Sequence, residues 1–181
     1  MTESQSLLSH IRRCLQKTAS GSGLRSWKKK ERLLIRKRMI SQILATDMAF
    51  HGETLSLVRA KISPVKDQER FIFLTGNDKT KFEEQQSLLN FLIHIADLGH
   101  NTKKFSISIK WIKVLTEEFW LQGDKERERG LPISFLCDRN NVDVPTSQIG
   151  FLKGFIVTSF SCLVDMFPSL KFTVDNAEDN I

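Results

Sequence analysis

Leu115-Thr116-Glu117-Glu118-Phe119-Trp120-Leu121-Gln122-Gly123-Asp124-Lys125-Glu126-Arg127-Glu128-Arg129-Gly130-Leu131-Pro132-Ile133-Ser134 is the run on which the fold class turns. Its front half closes a helical pattern from about Ser106 to Gly123, with Ile109, Ile112, Leu115, Phe119 and Leu121 recurring at helical spacings. A charged stretch, Asp124 to Gly130, follows, and Leu131-Pro132 opens a loop expected to last to Pro145. Downstream, a last helix is expected to start with Thr146 or Ser147 as N-cap and to stop before Pro168. The residues from Asp175 to Ile181 read as an acidic, frayed end.

Upstream, Thr80-Lys81-Phe82-Glu83 has the form of a capping box and starts a helix to about Leu98, broken by Gly99-His100-Asn101. Before it, a long helical pattern runs from Lys28 to Ile62, and Pro64 ends it. Residues 63–79 read as a loop; Phe71-Ile72-Phe73-Leu74 has strand composition but no neighbouring partner. The sequence shows neither a Gly-rich phosphate loop nor alternating strand and helix patterns. The expected fold class is therefore all-α, a multi-helix bundle.

Composition fits one domain of 181 residues with a real core: 40% are hydrophobic, including 13 Phe and 3 Trp. Charge is unevenly placed. Residues 1–40 hold eleven Lys and Arg against Glu3 and Glu31, a net +9, so the other 141 residues carry −3 of the total +6. The basic character belongs to an N-terminal arm whose simplest reading is a solvated, flexible leader over 1–27, with Ser-Gly-Ser-Gly at 20–23 as linker. The arm leaves membrane association open, but the acidic body and the lack of a binding motif argue against nucleic acid. Three cysteines without CxxC spacing point to reduced thiols and a cytoplasmic setting. The most apolar stretch, Ile149 to Phe167, contains Lys153 and Asp165 and reads as a core helix rather than a transmembrane segment.

Five ordered segments then carry a resemblance. They are Ile43-Leu44-Ala45-Thr46-Asp47-Met48-Ala49-Phe50-His51, Ile95-Ala96-Asp97-Leu98, the run quoted at the outset, Cys137-Asp138-Arg139, and Ser147-Gln148-Ile149-Gly150-Phe151. Together they resemble the C-terminal part of the catalytic domain of class I 3',5'-cyclic-nucleotide phosphodiesterases, over about residues 38–168. On that resemblance residues 28–170 form a partial catalytic domain between the leader and a 171–181 acidic tail.

The resemblance implies hydrolysis of cAMP or cGMP to the 5'-monophosphate with two divalent ions, Zn and Mg or Mn, which generate the nucleophile and hold developing charge. It places a metal ligand at Asp97. It places Gln148 on the purine, with two amide donors and a carbonyl acceptor to offer, Phe151 on one face of the base and Leu115 on the other. Met48 and His100 fall beside the substrate, His100 where many family members have Asn. Thr46, Asp47 and His51 fall behind the ligands, where a carboxylate would fix the orientation of a histidine. Trp111, Leu136 and Phe119 read as pocket wall or core, Phe119 more simply as core.

The family's upstream histidine motifs, H-N-x-x-H and H-D-x-x-H, have no match among His10, His51, His94 and His100. One carboxylate cannot hold two ions, so the site is expected to be incomplete in this chain. Two readings follow: a fragment of a cyclic-nucleotide hydrolase, or a catalytically inactive nucleotide-binding or regulatory module. Either way an uncovered apolar helix face is expected to drive self-association, at about 25 cal/mol per Å².

Overall fold

The computed structural model describes residues 28–62 and 78–181. Among them the chain forms helices and no strand. In order these are α1 (Lys29–Leu44), a 3-10 turn (Met48–Phe50), α2 (His51–Lys61), α3 (Asp78–Asp97), a 3-10 turn (Gly99–Thr102), α4 (Phe105–Glu128), α5 (Val144–Phe151), a π-helical segment (Leu152–Ile156), α6 (Val157–Met166), a 3-10 turn (Pro168–Leu170) and α7 (Lys171–Asp179). The all-α reading holds. The leader and the Phe71–Leu74 stretch lie outside the described residues.

The chain divides into two compact units, residues 1–54 with 73–94, and residues 55–72 with 95–181. In the first, α1 meets α3 through a polar seam. Arg38 Nη2 donates to Gln85 at 3.2 Å, Asn90 Nδ2 donates to Ser41 Oγ at 3.0 Å, and the Arg38 guanidinium lies 4.7 Å from the Phe82 ring centre. Leu33 and Leu34, which set the apolar rhythm of α1 in the sequence, are exposed, and no α1 residue is buried. The continuous helix expected over Lys28–Ile62 is broken at 45–47. There the Thr46 hydroxyl turns back to Ile43 O at 2.8 Å, and Asp47 Oδ1 accepts from Ala49 N at 2.9 Å. Such side-chain bonds to the backbone compete with the helix and cap the next one. α3 starts at Asp78, so Thr80, the expected cap, sits inside its first turn.

The second unit has the apolar core. Val58, Ile95, Ile112, Leu152, Ile156, Phe160, Leu163 and Met166 are buried. The stretch read as a core helix from composition spans Val144–Met166 and is long and apolar enough to cross a membrane. Its buried residues, Leu152, Ile156, Phe160, Cys162 and Leu163, make it the centre of this unit. Burial pushes the Cys162 thiol up to about 11, which keeps it protonated and unreactive. The frayed acidic end expected from Asp175 onward is instead helical. Thr173 and Ala177 of α7 are buried, Asn176 Nδ2 donates to Thr102 O at 3.0 Å, and Asn180 Nδ2 donates to Asn101 O at 3.0 Å and Lys103 O at 2.8 Å. Two asparagine amides thus satisfy the carbonyls of the 99–103 turn, which joins α3 to α4.

Candidate functional site

α4 continues past Gly123, where sequence reading ended it, to Glu128. Gly123 is there for a neighbour, not for a break. A Cβ at this position would lie 1.9 Å from the Cys137 carbonyl oxygen, so only glycine lets the 131–143 loop cross α4. The helix then ends in a Schellman motif. Leu131 N bonds Glu126 O at 2.9 Å, Gly130 N bonds Arg127 O at 3.0 Å, and Gly130 takes the left-handed φ of 64°.

The charged run of α4 ties this loop down. Glu126 accepts from Ser134 N and the Ser134 hydroxyl, each at 2.7 Å, and from Gln122 Nε2 at 2.9 Å. These bonds, Ser134's first, hold the Glu126 carboxyl below its ordinary range. Arg127 Nη2 reaches Asp138 Oδ1 at 2.6 Å, and Arg139 reaches Asp124 at 2.6 and 3.0 Å while its guanidinium lies 5.4 Å from the Trp120 ring centre. Gln122, Asp124, Glu126 and Arg127 of this run therefore act as a latch on the loop.

What the latch positions is a shallow, solvent-open recess. Thr116 and Phe119 of α4, Leu136 and Val142 of the loop, and Val144, Ser147 and Gln148 of α5 line it. Leu136 holds a φ of 64°, a sparsely populated conformation for a leucine. α5 begins at Val144, three residues before the expected cap at Ser147 and two before Thr146. Asp143 is the N-cap, accepting from Thr146 N at 3.2 Å and the Thr146 hydroxyl at 2.7 Å, with Pro145 in the first turn. Those bonds, the hydroxyl's first, hold the Asp143 carboxyl below its usual range. Because the helix starts early, Ser147 and Gln148 fall half-buried on its first turns, lining the recess with the loop residues Leu136 and Val142.

Gln148, Phe119 and Leu136 thus share one recess. Phe151, half-buried one turn on, stacks with Phe155 at 5.4 Å between ring centres, and the π-helical segment starts directly after it. Segments of this kind recur at functional sites. Leu115 is half-buried on α4, next in sequence to Thr116 of the recess wall. Val142 and Val144 are recess residues that sequence reading missed; two valines flanking Asp143 before a helix were the available signal.

Asp97 is the exposed last residue of α3. His100, three residues on, has its ring 6.0 Å from that of Trp111, which is exposed and so not core. Burial pushes the His100 imidazole below its ordinary value, while a hydrogen bond to the Asp97 backbone and the Asp97 charge pull the other way. The four remaining positions belong to the first unit. Thr46 and Asp47 make the turn bonds described above, and Met48 is exposed. His51 is buried, its Nδ1 2.8 Å from His94 Nε2. Burial and then the neighbouring His94 lower the His51 pKa, which favours the neutral His51 ring.

No group of three or more His, Cys, Asp or Glu among the described residues could hold a metal ion. Asp97 alone does not fit a two-ion centre, which requires several donors on each ion.

A family model described as 3'5'-cyclic nucleotide phosphodiesterase matches residues 4–177. Probable 3',5'-cyclic-AMP phosphodiesterase pde-4 of Caenorhabditis elegans is 34% identical over 156 residues, 84% of this chain and 22% of that protein. Dual specificity calcium/calmodulin-dependent 3',5'-cyclic nucleotide phosphodiesterase 1B of Rattus norvegicus is 39% identical over 138 residues, 76% of this chain and 23% of that protein. Among solved structures, LmjPDEB1 in complex with IBMX aligns with a TM-score of 0.78 at 25% identity, over 96% of this chain and 50% of that one. The phosphodiesterase domain of the Salpingoeca rosetta rhodopsin phosphodiesterase aligns at 0.74 and 26%, over 88% of this chain and 46% of that one. The chain thus spans under a quarter of these two curated relatives and about half of the matched solved chains.

Proposed function

Because the chain belongs to the 3',5'-cyclic nucleotide phosphodiesterase family, we propose that it carries the base-holding part of a hydrolase acting on cAMP or cGMP. The observation that supports this most is the recess on which Gln148, Phe119 and Leu136 converge, with the loop side fixed by the α4 latch. Gln148 offers a purine edge both donors and an acceptor. Phe151 stacks on the base, with Leu115 against its other face. By family resemblance alone, Met48 and His100 are assigned to the substrate, and Thr46, Asp47 and His51 to the support of metal ligands. Asp97 supplies one carboxylate toward a metal centre of the whole enzyme. The two ions, when bound, activate water and stabilise charge on the phosphate; the described residues do not fit that centre by themselves, and this chain's own part is to bind and orient the nucleotide. The product is the 5'-monophosphate, and the setting is cytoplasmic.

The absence of a ligand cluster among the described residues favours a second reading, a nucleotide-binding module without turnover. One experiment separates the two. Purified chain is titrated with cAMP and cGMP and assayed for hydrolysis with Mg²⁺ or Zn²⁺. Gln148→Ala and Phe151→Ala are each expected to weaken nucleotide binding about tenfold, in line with about 1–3 kcal/mol per stacked base. Unchanged affinity in both variants sinks the base-holding assignment. Turnover lost in Asp97→Ala sinks the second reading.

A further inference from the structure

α1 is the most basic of the described helices. Residues 28–44 hold seven Lys and Arg against Glu31, whose carboxylate accepts from the Lys28 backbone N–H at 2.7 Å. No residue of the helix is buried. Leu33, Leu34 and Leu44 are 58%, 44% and 47% exposed, so leucine and cation share one surface.

The sharing is ordered. At about 100° per residue, Leu33, Ile40 and Leu44 fall on one line along the helix. Lys29 and Arg36 lie on one side of that line, and Lys30 and Lys37 on the other, all exposed. Arg38, which donates to Gln85 of α3, points the opposite way. The outward face is therefore an apolar strip between two rows of cations, with α3 behind it.

This arrangement matches the boundary between lipid headgroups and acyl chains. Leucine side chains enter the hydrocarbon, while the stems of Lys and Arg lie along it and their charged ends reach the phosphates. A nucleic acid would engage the cations and leave the leucines in water. A protein that encloses a basic helix needs access all round it, and α3 closes one side. Only a flat, negatively charged surface with an apolar interior uses both parts of the face at once.

We propose that α1 docks on an anionic lipid bilayer, lying along the headgroup layer with Leu33, Ile40 and Leu44 turned inward. The proposal is independent of the nucleotide-site assignment, and its test reads vesicle binding alone.

The full chain is sedimented with vesicles of phosphatidylcholine containing about 30% phosphatidylserine, and with phosphatidylcholine alone. It is expected to bind the first and not the second, and to come off between about 0.1 and about 0.5 M NaCl. Each flanking cation is worth about fivefold in affinity, so K29A/K30A/R36A weakens binding about a hundredfold. Leu33→Lys raises the net charge and yet weakens binding about tenfold, because a leucine no longer enters the hydrocarbon. Leu44→Lys, at the other end of the strip, does the same. Both leucines are exposed, so helix content by circular dichroism stays unchanged. Equal binding to both vesicles overturns the proposal, as do lysine variants that bind as tightly as the parent, which would mark a surface that reads charge alone. Binding that ignores all three variants assigns the membrane contact to residues 1–27 instead. A chain that retains an RNA oligonucleotide but not the anionic vesicles assigns the face to nucleic acid, and the bilayer proposal fails.

Discussion

At the scale of single residues, the sequence named Gln148 and left its setting hidden. A glutamine on the first turns of a helix has no visible partner until the Leu136 loop is known to stand opposite. That loop is held there by Gly123, which sequence reading took for a helix end because glycine is a poor helix former. The physical reason for the glycine, the Cys137 backbone crossing α4, is a contact between residues fourteen apart and leaves no local signal. Gly123→Ala must therefore displace backbone rather than a side-chain tip. The expected cost is about 3 kcal/mol, the upper end for overpacking, read as a lower urea midpoint, and an unchanged midpoint would refute the crossing. His51 makes a pH prediction. Its folded pKa is lowered, by burial first and then by His94. Between the ordinary value near 6.5 and that lower value, the unfolded chain binds more protons than the folded one. Stability contributed by the neutral ring is thus present above about pH 6.5 and falls as pH drops below it. His100, also lowered, adds a loss of the same sign. Urea midpoints measured from pH 7.5 to 5.5 should decline, with a shallower decline in His51→Gln.

At the scale of elements, periodicity made the helices legible and failed at their joints. The rhythm of Leu33, Leu34, Ile40, Ile43 and Leu44 runs through the 45–47 turn because the break comes from two side chains, Thr46 and Asp47, bonding backbone, which no apolar count registers. α5 was placed late for a related reason: Thr146 and Ser147 look like caps, but Asp143 reaches Thr146 first and Pro145 suits the first turn. The last element escaped altogether, since Asp175, Glu178 and Asp179 suggest a solvated end while Thr173 and Ala177 face inward. What fixes α7 is Asn180, donating to both Asn101 O and Lys103 O. Removing it in Asn180→Ala leaves two carbonyls of the 99–103 turn without these bonds, and the expected cost is about 1–2 kcal/mol by thermal denaturation. Asn180→Asp should cost more, because it sets a carboxylate against two carbonyl oxygens. If neither variant changes stability, α7 is not anchored through this residue.

At the scale of the whole molecule, metal chemistry separates what the family implies from what this chain holds. The five sequence segments that carry the family resemblance include Gln148, proposed above to hold the base, and the α4 residues that tie down the 131–143 loop. Asp97, the one residue proposed as a metal ligand, lies exposed at the end of α3 with no cluster of ligands among the described residues. A bound ion stabilises a fold by RT ln(1 + [L]/Kd). A preformed site with a Kd of about 1 µM would add about 4 kcal/mol at about 1 mM free ion, whereas a single carboxylate binding at about 1 mM adds about 0.4 kcal/mol. The chain alone is therefore expected to melt at the same temperature, within a degree or so, in EDTA and in millimolar Mg²⁺ or Mn²⁺, and Asp97→Asn should leave that comparison unchanged. In the same solutions cyclic nucleotide should still raise the melting temperature, with the increment reduced in Gln148→Ala. A rise of many degrees on adding Mg²⁺ or Mn²⁺, lost in Asp97→Asn, would mean that the chain assembles a metal centre around Asp97 after all, and the division between a base-holding part and a metal-holding part would fall with it.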